Sequence, residues 1–140
     1  MDSSTLLGFF VGILIVGALL VLVITLTKTG MSQVDVNKFR LKWLAIEKQL
    51  KKEEPSSYLL AVLNADKLLD QALRDRRIKG ETMGERMKTA KNMWSNANVV
   101  WSAHKLRNQI AHETDPQVSY DDARRALAGF KQALKDVGAI

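Results

Sequence analysis

The sequence predicts an all-α protein in which one N-terminal transmembrane helix is followed by an antiparallel bundle of four or five helices. Residues 6–26 form an uncharged apolar run. The rest of the chain repeats apolar residues at spacings of three and four, which is the helical period, and no alternating strand pattern competes with it. Short connections between such helices are typical of an antiparallel bundle. The chain therefore divides into an anchor over residues 1–28, a linker over 29–34 and a soluble domain over 35–140.

The predicted anchor, Leu6 to Leu26, has 21 residues without a charge, an Asn, a Gln or a Pro. At about 1.5 Å per helical residue it covers roughly the 30 Å hydrocarbon core of a bilayer. It lacks the charged face of a helix that lies flat on a membrane. A cleaved signal peptide is the alternative, but such peptides carry basic residues before a shorter apolar stretch, and residues 1–5 contain none. We therefore predict an uncleaved, single-pass anchor.

The basic residues near the span predict its orientation. Lys28, Lys38, Arg40 and Lys42 follow the apolar run, whereas no Lys or Arg precedes it. Because Lys and Arg are retained on the cytoplasmic side, the N-terminus is expected outside and the C-terminal domain in the cytoplasm.

Composition limits the remaining possibilities. Residues 35–140 are enough for one domain with one modest core. The chain has no cysteine, so disulfides, a thiol nucleophile and a cysteine-ligated zinc site are excluded. With 21 Lys and Arg against 15 Asp and Glu, the formal net charge is +6, which suits an anionic partner such as RNA or lipid head groups.

Five segments of the soluble domain carry a helical pattern. The first begins at Val36 and ends before Pro55, because the residue before a proline is biased out of the helical conformation. The second runs to about Arg77, with Ser56 or Ser57 as its cap. Its apolar first half predicts the centre of the core, formed by Leu59, Leu60, Ala61, Val62, Leu63 and Ala65.

The later helices are predicted from their caps and apolar spacing. Thr82 and Glu85 have the spacing of a capping box, and Met83, Met87 and Trp94 follow near one helical face as a core stripe. The next helix spans about Asn96 to His112 and is expected to bury Val99, Ala103, Leu106 and Ile110. The last helix follows Ser119 and buries Tyr120, Ala123, Leu127, Phe130, Leu134 and Val137.

The residues that could carry chemistry are concentrated on the penultimate helix. At about 100° per residue, His104, Asn108 and His112 share a polar stripe that is expected to face away from the apolar seam, and Arg107 lies on the side of His104 away from His112. An arginine can hold a phosphate, and a neutral imidazole can take a proton from a hydroxyl. One Arg and one His on one helix cannot surround a scissile phosphate, but two copies facing each other can.

The run from Arg107 to His112, RNQIAH, resembles the signature of HEPN domains, which are small all-helical bundles with an arginine, a polar residue, three more residues and a histidine. The likeness covers roughly the whole chain after the linker. It implies a homodimer whose composite cleft cleaves RNA without a metal, through attack of the ribose 2′-hydroxyl. Arg107 would then steady the phosphate, His112 would act in acid–base catalysis, and Asn108 would orient the histidine or the backbone. The candidate substrate-binding residues precede the motif on the same helix: Trp101, His104 and Lys105.

HEPN domains also serve as noncatalytic dimerisation or RNA-binding modules, so a tethered binding module is the alternative function. Each candidate also has a structural interpretation. His112 can interact with the helix C-terminus, where a cation is favoured, and Arg107 can pair with Glu113 or Asp115 at the surface.

Metal and cofactor chemistry is not expected. The sequence has neither a Gly-rich phosphate loop followed by Lys and Ser or Thr, nor an HExxH motif. The two histidines are eight residues apart with no acidic residue between them, which makes a metal site improbable. Asp66 and Asp70 lie one turn apart, and surface ion pairing with Lys67 and Arg74 is the expected use of their carboxylates.

Overall fold

The structure is a computed structural model that describes residues 2–27 and 33–140 of the chain. These residues fall into two compact units, with the division of the chain between residues 31 and 32. The described residues form six helices and no strand: α1 (Ser3–Thr27), α2 (Val36–Gln49), α3 (Pro55–Asp75), α4 (Met83–Thr89), α5 (Ala97–His112) and α6 (Tyr120–Asp136). The all-helical prediction is confirmed.

The first unit contains α1, a single apolar helix of 25 residues. Its large apolar side chains are exposed, and it is long and apolar enough to cross a membrane. Two of its threonine hydroxyls donate to nearby backbone carbonyls. The hydroxyl of Thr25, for example, donates to the carbonyls of Val21 and Leu22 at 2.9 Å, so it needs no hydrogen bond from water.

Most of the predicted linker, residues 29–32, lies outside the described residues. Val34, at its end, is buried with the domain core. The domain core therefore takes in a side chain from this stretch, two residues before α2 begins.

Helix α3 is the centre of the second unit, because it packs against α2, α4, α5 and α6. Its burial is more extensive than the apolar run alone predicts and continues through Leu68, Leu69, Ala72 and Leu73. Of the six predicted core residues, Ala61, Val62 and Ala65 are buried, Leu59 and Leu63 are half-buried, and Leu60 is exposed.

The start of α3 differs from the prediction. The N-cap is Glu54, which makes no side-chain cap hydrogen bond, and Pro55 takes the first helical position, where its missing N–H costs nothing. The prediction that Ser56 or Ser57 caps this helix is wrong. Ser57 is buried inside the first turn, where its hydroxyl accepts the N–H of Lys51 at 3.0 Å and donates to the carbonyl of Glu54 at 2.7 Å.

The predicted capping box at the start of α4 is confirmed, and a second one, which was not predicted, starts α6. Thr82 and Glu85 form a reciprocal capping box at α4, and Ser119 forms one with Asp122 at α6. Helix α4 is shorter than its sequence suggests, since it ends at Thr89. Trp94 is therefore not on this helix; its indole Nε1 instead donates to the carbonyl of Met87 at 3.1 Å.

Helix α5 is rotated relative to the predicted seam. Val100, Ala103, His104 and Ile110 are buried, whereas Val99 is 40% exposed and Leu106 is half-buried. The apolar spacing favours the seam that starts at Val99, whereas the buried seam starts at Val100 and includes the polar His104. Val100 rather than Val99 faces the core because α3 presents the buried carboxylate of Asp66 to His104.

Candidate functional site

The buried residue that faces α5 is Asp66, on the core side of α3. It lies on the same helical stripe as Val62 and Leu69, and only 3% of it is exposed. Its Oδ1 lies 2.7 Å from Nδ1 of His104, which is itself buried. The predictions that Asp66 forms a surface ion pair and that His104 faces away from the core are therefore wrong. A carboxylate in the core needs a partner, and His104 is that partner.

Asn108 and Arg107 extend this contact into a closed network. Nη1 of Arg107 donates to Oδ1 of Asn108 at 3.1 Å, and Nδ2 of Asn108 lies 3.3 Å from Nε2 of His104. Arginine has no acceptor, so the carbonyl of the Asn108 side chain must face it and the amide NH₂ must face the imidazole. Nε2 of His104 is then the acceptor, which leaves the proton on Nδ1 to be donated to Asp66.

Arg107 closes the network on the side of Asp66. Its Nε lies 3.2 Å from Oδ2 of Asp66, close enough for an ion pair. The Nε–H nevertheless has no hydrogen-bond partner among the described residues, so its direction is poor and the contact is mainly charge attraction. About a third of the Arg107 side chain, 35%, is exposed. Arg107 is thus held from the inside and open to solvent at its outer end.

A second acidic residue, Asp70, fixes the loop and short helix beside this network. Its Oδ1 accepts Nε of the buried Arg86 at 2.7 Å, and its Oδ2 accepts Nε of Arg74 at 2.9 Å. Arg86 also donates to the carbonyl of Gly80 at 2.6 Å. Gly80 has a φ of +152°, and a Cβ there would lie 2.6 Å from the backbone N of Arg86. The predicted pair of Asp70 with Arg74 is confirmed, and Arg86 is the stronger, buried partner.

Two adjoining pockets, which share His104 and Asn108, form a groove between α4 and α5 over this network. Of the predicted site residues, Trp101 and Lys105 line one pocket, Arg107 lines the other, and His104 and Asn108 line both. Trp101 meets His104 edge to face with 6.1 Å between ring centroids. The opposite wall contributes Lys88 together with Glu81 and Glu85. The groove therefore combines an aromatic side chain, amide and guanidinium donors and cationic residues of both walls.

The acidic residue Glu85 at the rim of this groove is committed to the backbone. Its Oε2 accepts the N–H of Glu81 at 2.7 Å and the N–H of Thr82 at 3.4 Å. These backbone hydrogen bonds, that of Glu81 first, lower the pKa of the Glu85 carboxyl below its usual value. Glu85 remains ionised at neutral pH and serves as part of the cap rather than as a proton donor.

His112 lies apart from the groove. It is the last residue of α5, it is exposed, and its imidazole makes no hydrogen bond within the part of the chain that the structure describes. It follows Arg107 by five residues, which on a helix corresponds to about 7.5 Å along the axis and about 140° around it. The side chains of Arg107 and His112 therefore leave α5 in different directions.

Sequence reasoning missed Asp66 and Arg86 as part of the site. The signal for Asp66 was its position: it follows Val62 by four residues and precedes Leu69 by three, so a charge stood on an apolar stripe. Arg86 gave no comparable signal, because its burial depends on the turn at Gly80. Within the described residues, no group of three or more His, Asp or Glu side chains is placed to hold a metal ion.

No protein-family model matches the chain, and comparisons with curated proteins and with solved structures find no similar protein. The resemblance of residues 107–112 to the HEPN signature therefore rests on the sequence.

Proposed function

We propose that this protein is a membrane-anchored, dimeric, metal-independent endoribonuclease with a HEPN-like domain. The observation that supports this function best is the groove between α4 and α5, in which Arg107 is braced by Asp66 and Asn108 with its outer end in solvent. A guanidinium fixed in this way can bind a phosphate with little further loss of side-chain freedom. Trp101 and Lys105 on the same wall suit a base and a second phosphate of single-stranded RNA.

The proposed reaction needs a second copy of the chain. His112 lies outside the groove of its own copy, so the histidine near a bound phosphate comes from the partner. The partner's His112 takes the proton of the ribose 2′-hydroxyl, whose oxygen attacks the adjacent phosphorus. The bond to the 5′-oxygen breaks, and that oxygen takes up a proton from the imidazolium so formed, which restores the neutral His112. The products are a 2′,3′-cyclic phosphate and a 5′-hydroxyl, and Arg107 stabilises the charge that develops on the phosphoryl oxygens.

The network changes the role expected of two residues. Asn108 bonds His104 and Arg107, so in this proposal it positions the arginine rather than the catalytic histidine. His104 uses one ring nitrogen on Asp66 and offers the other to Asn108, which makes it a positioning residue at the floor of the groove.

Helix α1 supplies the anchor in this proposal. Its 25 residues are enough to cross the hydrocarbon core with some tilt. The basic residues after the span, Lys38, Arg40 and Lys42, favour a cytoplasmic domain and an external N-terminus. The ribonuclease would then act at the inner surface of the membrane.

The second candidate function is a noncatalytic tethered module that dimerises or binds a protein or nucleic acid. The position of His112 favours it, because the groove of one copy contains no exposed imidazole. In this alternative, the network of Asp66, His104, Asn108 and Arg107 fastens α5 to α3, and the groove binds its ligand unchanged.

The test is RNA cleavage by the full chain in detergent or nanodiscs, with EDTA present to remove divalent metals. We expect single-stranded RNA to be cut to 2′,3′-cyclic phosphate ends, and Arg107→Ala and His112→Ala each to abolish cleavage. Gln109→Ala, an exposed change on the same helix, is the matched control and should cleave normally. Mixing the two inactive variants should restore part of the activity, because a mixed dimer keeps one arginine and one histidine.

The outcomes separate the two functions. A well-folded dimer that binds RNA without cleaving it would support the binding module. A monomer that cleaves, or cleavage that survives in His112→Ala, would contradict the composite site.

A further inference from the structure

An exposed apolar patch lies on the outer face of α2 and the adjoining side of α3. Of the large apolar side chains within residues 33–140, four are exposed: Leu41 (69%), Leu44 (51%), Leu60 (49%) and Val99 (40%). Leu41 and Leu44 lie on α2, opposite the buried Phe39, Trp43 and Ile46 at about 100° per residue. Leu60 lines the same shallow groove as Ala45 and Lys48 of α2. Ala45 follows Leu41 by four residues on the same face of α2, so the groove connects the surface of the two α2 leucines with Leu60. We call the surface formed by Leu41, Leu44, Ala45 and Leu60 the α2 patch.

The α2 patch is bordered by unpaired basic side chains. Lys38, Arg40 and Lys48 are exposed, and none forms a hydrogen bond or ion pair with its side chain within the described residues. The acidic residue nearest the groove, Glu54, is already paired with Lys51 at 3.3 Å. Leucines surrounded by free Lys and Arg are the chemistry of a helix face that enters the head-group region of a membrane, where the long basic side chains reach the anionic heads.

The chain length keeps the α2 patch near a bilayer. Helix α1 ends at Thr27 and α2 begins at Val36, so residues 28–35 join them. Eight residues span at most about 28 Å when fully extended. If α1 crosses the membrane, the beginning of α2 cannot leave the surface by more than this distance. The local concentration of lipid at α2 is therefore high without any affinity of its own.

We propose that the α2 patch docks on the anionic lipid surface next to the anchor, with Leu41, Leu44 and Leu60 in the head-group region and Lys38, Arg40 and Lys48 on the lipid phosphates. This inference rests on the proposed anchoring by α1 and is independent of ribonuclease activity. A second copy of the chain is the less suitable occupant, because three leucines fall far short of the about 800 Å² per partner of a standard interface. Docking would fix which side of the domain faces the cytoplasm.

The absence of cysteine allows a clean test with a single spin label. Ala45→Cys places the label inside the patch without removing a leucine. Ala128→Cys is the matched control, because it is also an exposed alanine on a helix but lies on α6. The full-length protein is reconstituted in nanodiscs of phosphatidylcholine alone or mixed with phosphatidylserine. Collision of the label with oxygen, which concentrates in lipid, is compared with collision with a water-soluble nickel chelate.

We expect the ratio of oxygen to nickel collision to be several-fold higher at position 45 than at position 128, and higher with phosphatidylserine than without it. Leu41→Ser with Leu44→Ser, both exposed positions that leave the core intact, should reduce the ratio at 45 to that at 128. Lys48→Glu should remove the difference between the two lipids. Together these results would establish docking through both leucines and charge.

Each other outcome overturns the proposal in a distinguishable way. Equal water exposure at both positions in both lipids would mean that the anchored domain does not dock. An equally high ratio at position 45 in both lipids would mean that the basic residues do not contribute to docking. A label at 45 that is immobilised in detergent and released on dilution would mean that a second copy covers the patch. Failure of the chain to enter nanodiscs would overturn the anchor itself.

Discussion

The two histidines of α5 lie eight residues apart on one helix and have opposite environments. His104 is buried, bonded to Asp66 and adjacent to Asn108, whereas His112 is exposed at the end of the helix. Helical periodicity alone places both on one polar stripe. The difference comes from α3, which presents a carboxylate to one histidine and nothing to the other. A pattern on one helix thus identifies polar residues, but the facing helix decides which of them is structural.

The largest loss of stability is expected from a substitution of Asp66, the buried partner of His104. Asp66→Ala should reduce the free energy of unfolding by about 3 kcal/mol, because it leaves the buried Nδ1–H of His104 and the inner side of Arg107 without their acceptor. Chemical denaturation of the full chain in detergent, followed by circular dichroism, measures this loss. Asp121→Ala, an exposed acidic residue in the first turn of α6, is the control and should change the stability by less than about 0.5 kcal/mol.

If Asp66→Ala proved as harmless as Asp121→Ala, the carboxylate of Asp66 would not be buried against α5. The burial of His104 would then lose its physical basis as well.

A smaller loss is expected from the histidine itself. His104→Ala should cost about 2 kcal/mol, since Asp66 loses a 2.7 Å hydrogen bond but retains Arg107 as a counter-charge. Nuclear magnetic resonance of the imidazole adds a second measurement. The network requires the Nδ1–H tautomer of His104, so the Nε2–H tautomer in the wild-type protein would contradict the assigned direction of the bond to Asn108.

The helices of the domain could be predicted from the sequence because their boundaries depend on nearby residues. Capping pairs such as Thr82 with Glu85 are three residues apart, and the chain between them fixes their geometry. The rotation of α5 could not be predicted in this way. The apolar spacing favours Val99, whereas the seam that is used starts at Val100 and contains His104, whose partner is 38 residues earlier in the chain.

The candidate site shows the same division. Sequence reasoning identified Trp101, Lys105, Arg107 and Asn108, which all line the groove from α5. It did not identify Asp66 as the residue that holds Arg107, since that contact depends on how α3 and α5 pack. Nor did it place His112 outside the groove, because the lining of the groove depends on where α4 lies beside α5.

Carboxylates also differ between buried and exposed positions: Asp66 is buried in the core, whereas Asp122 caps a helix at the surface. Asp122 is partly exposed at the start of α6, where the Ser119 hydroxyl donates to it at 2.7 Å and the Ser119 N–H at 3.1 Å. These hydrogen bonds, that of the hydroxyl first, lower the pKa of Asp122 below 3.8. A lowered pKa in the folded state gives stability that is present above 3.8 and is lost as the pH falls below it through the folded-state pKa.

Asp122→Asn should therefore cost roughly 0.5 to 1 kcal/mol at neutral pH, and the difference from wild type should shrink as the pH falls below 3.8. Asp121→Asn, the neighbouring acidic residue without a bond to Ser119, controls for the loss of one charge in the same turn. A cost that stayed constant through this range would mean that the charge of Asp122 does not contribute, and that its geometry alone completes the capping box.

The smallest effect on stability is expected at His112, and this makes it the most informative position for function. His112→Ala should change the free energy of unfolding by less than about 0.5 kcal/mol, because the side chain is exposed and makes no hydrogen bond within the described residues. Arg107→Ala, by contrast, should lower both stability and any RNA cleavage, since Arg107 both pairs with Asp66 and faces the groove. Denaturation and RNA cleavage measured on the same two preparations separate these roles. A large stability loss in His112→Ala would show that its imidazole packs against the domain, and the loss of activity in that variant could then no longer be assigned to catalysis.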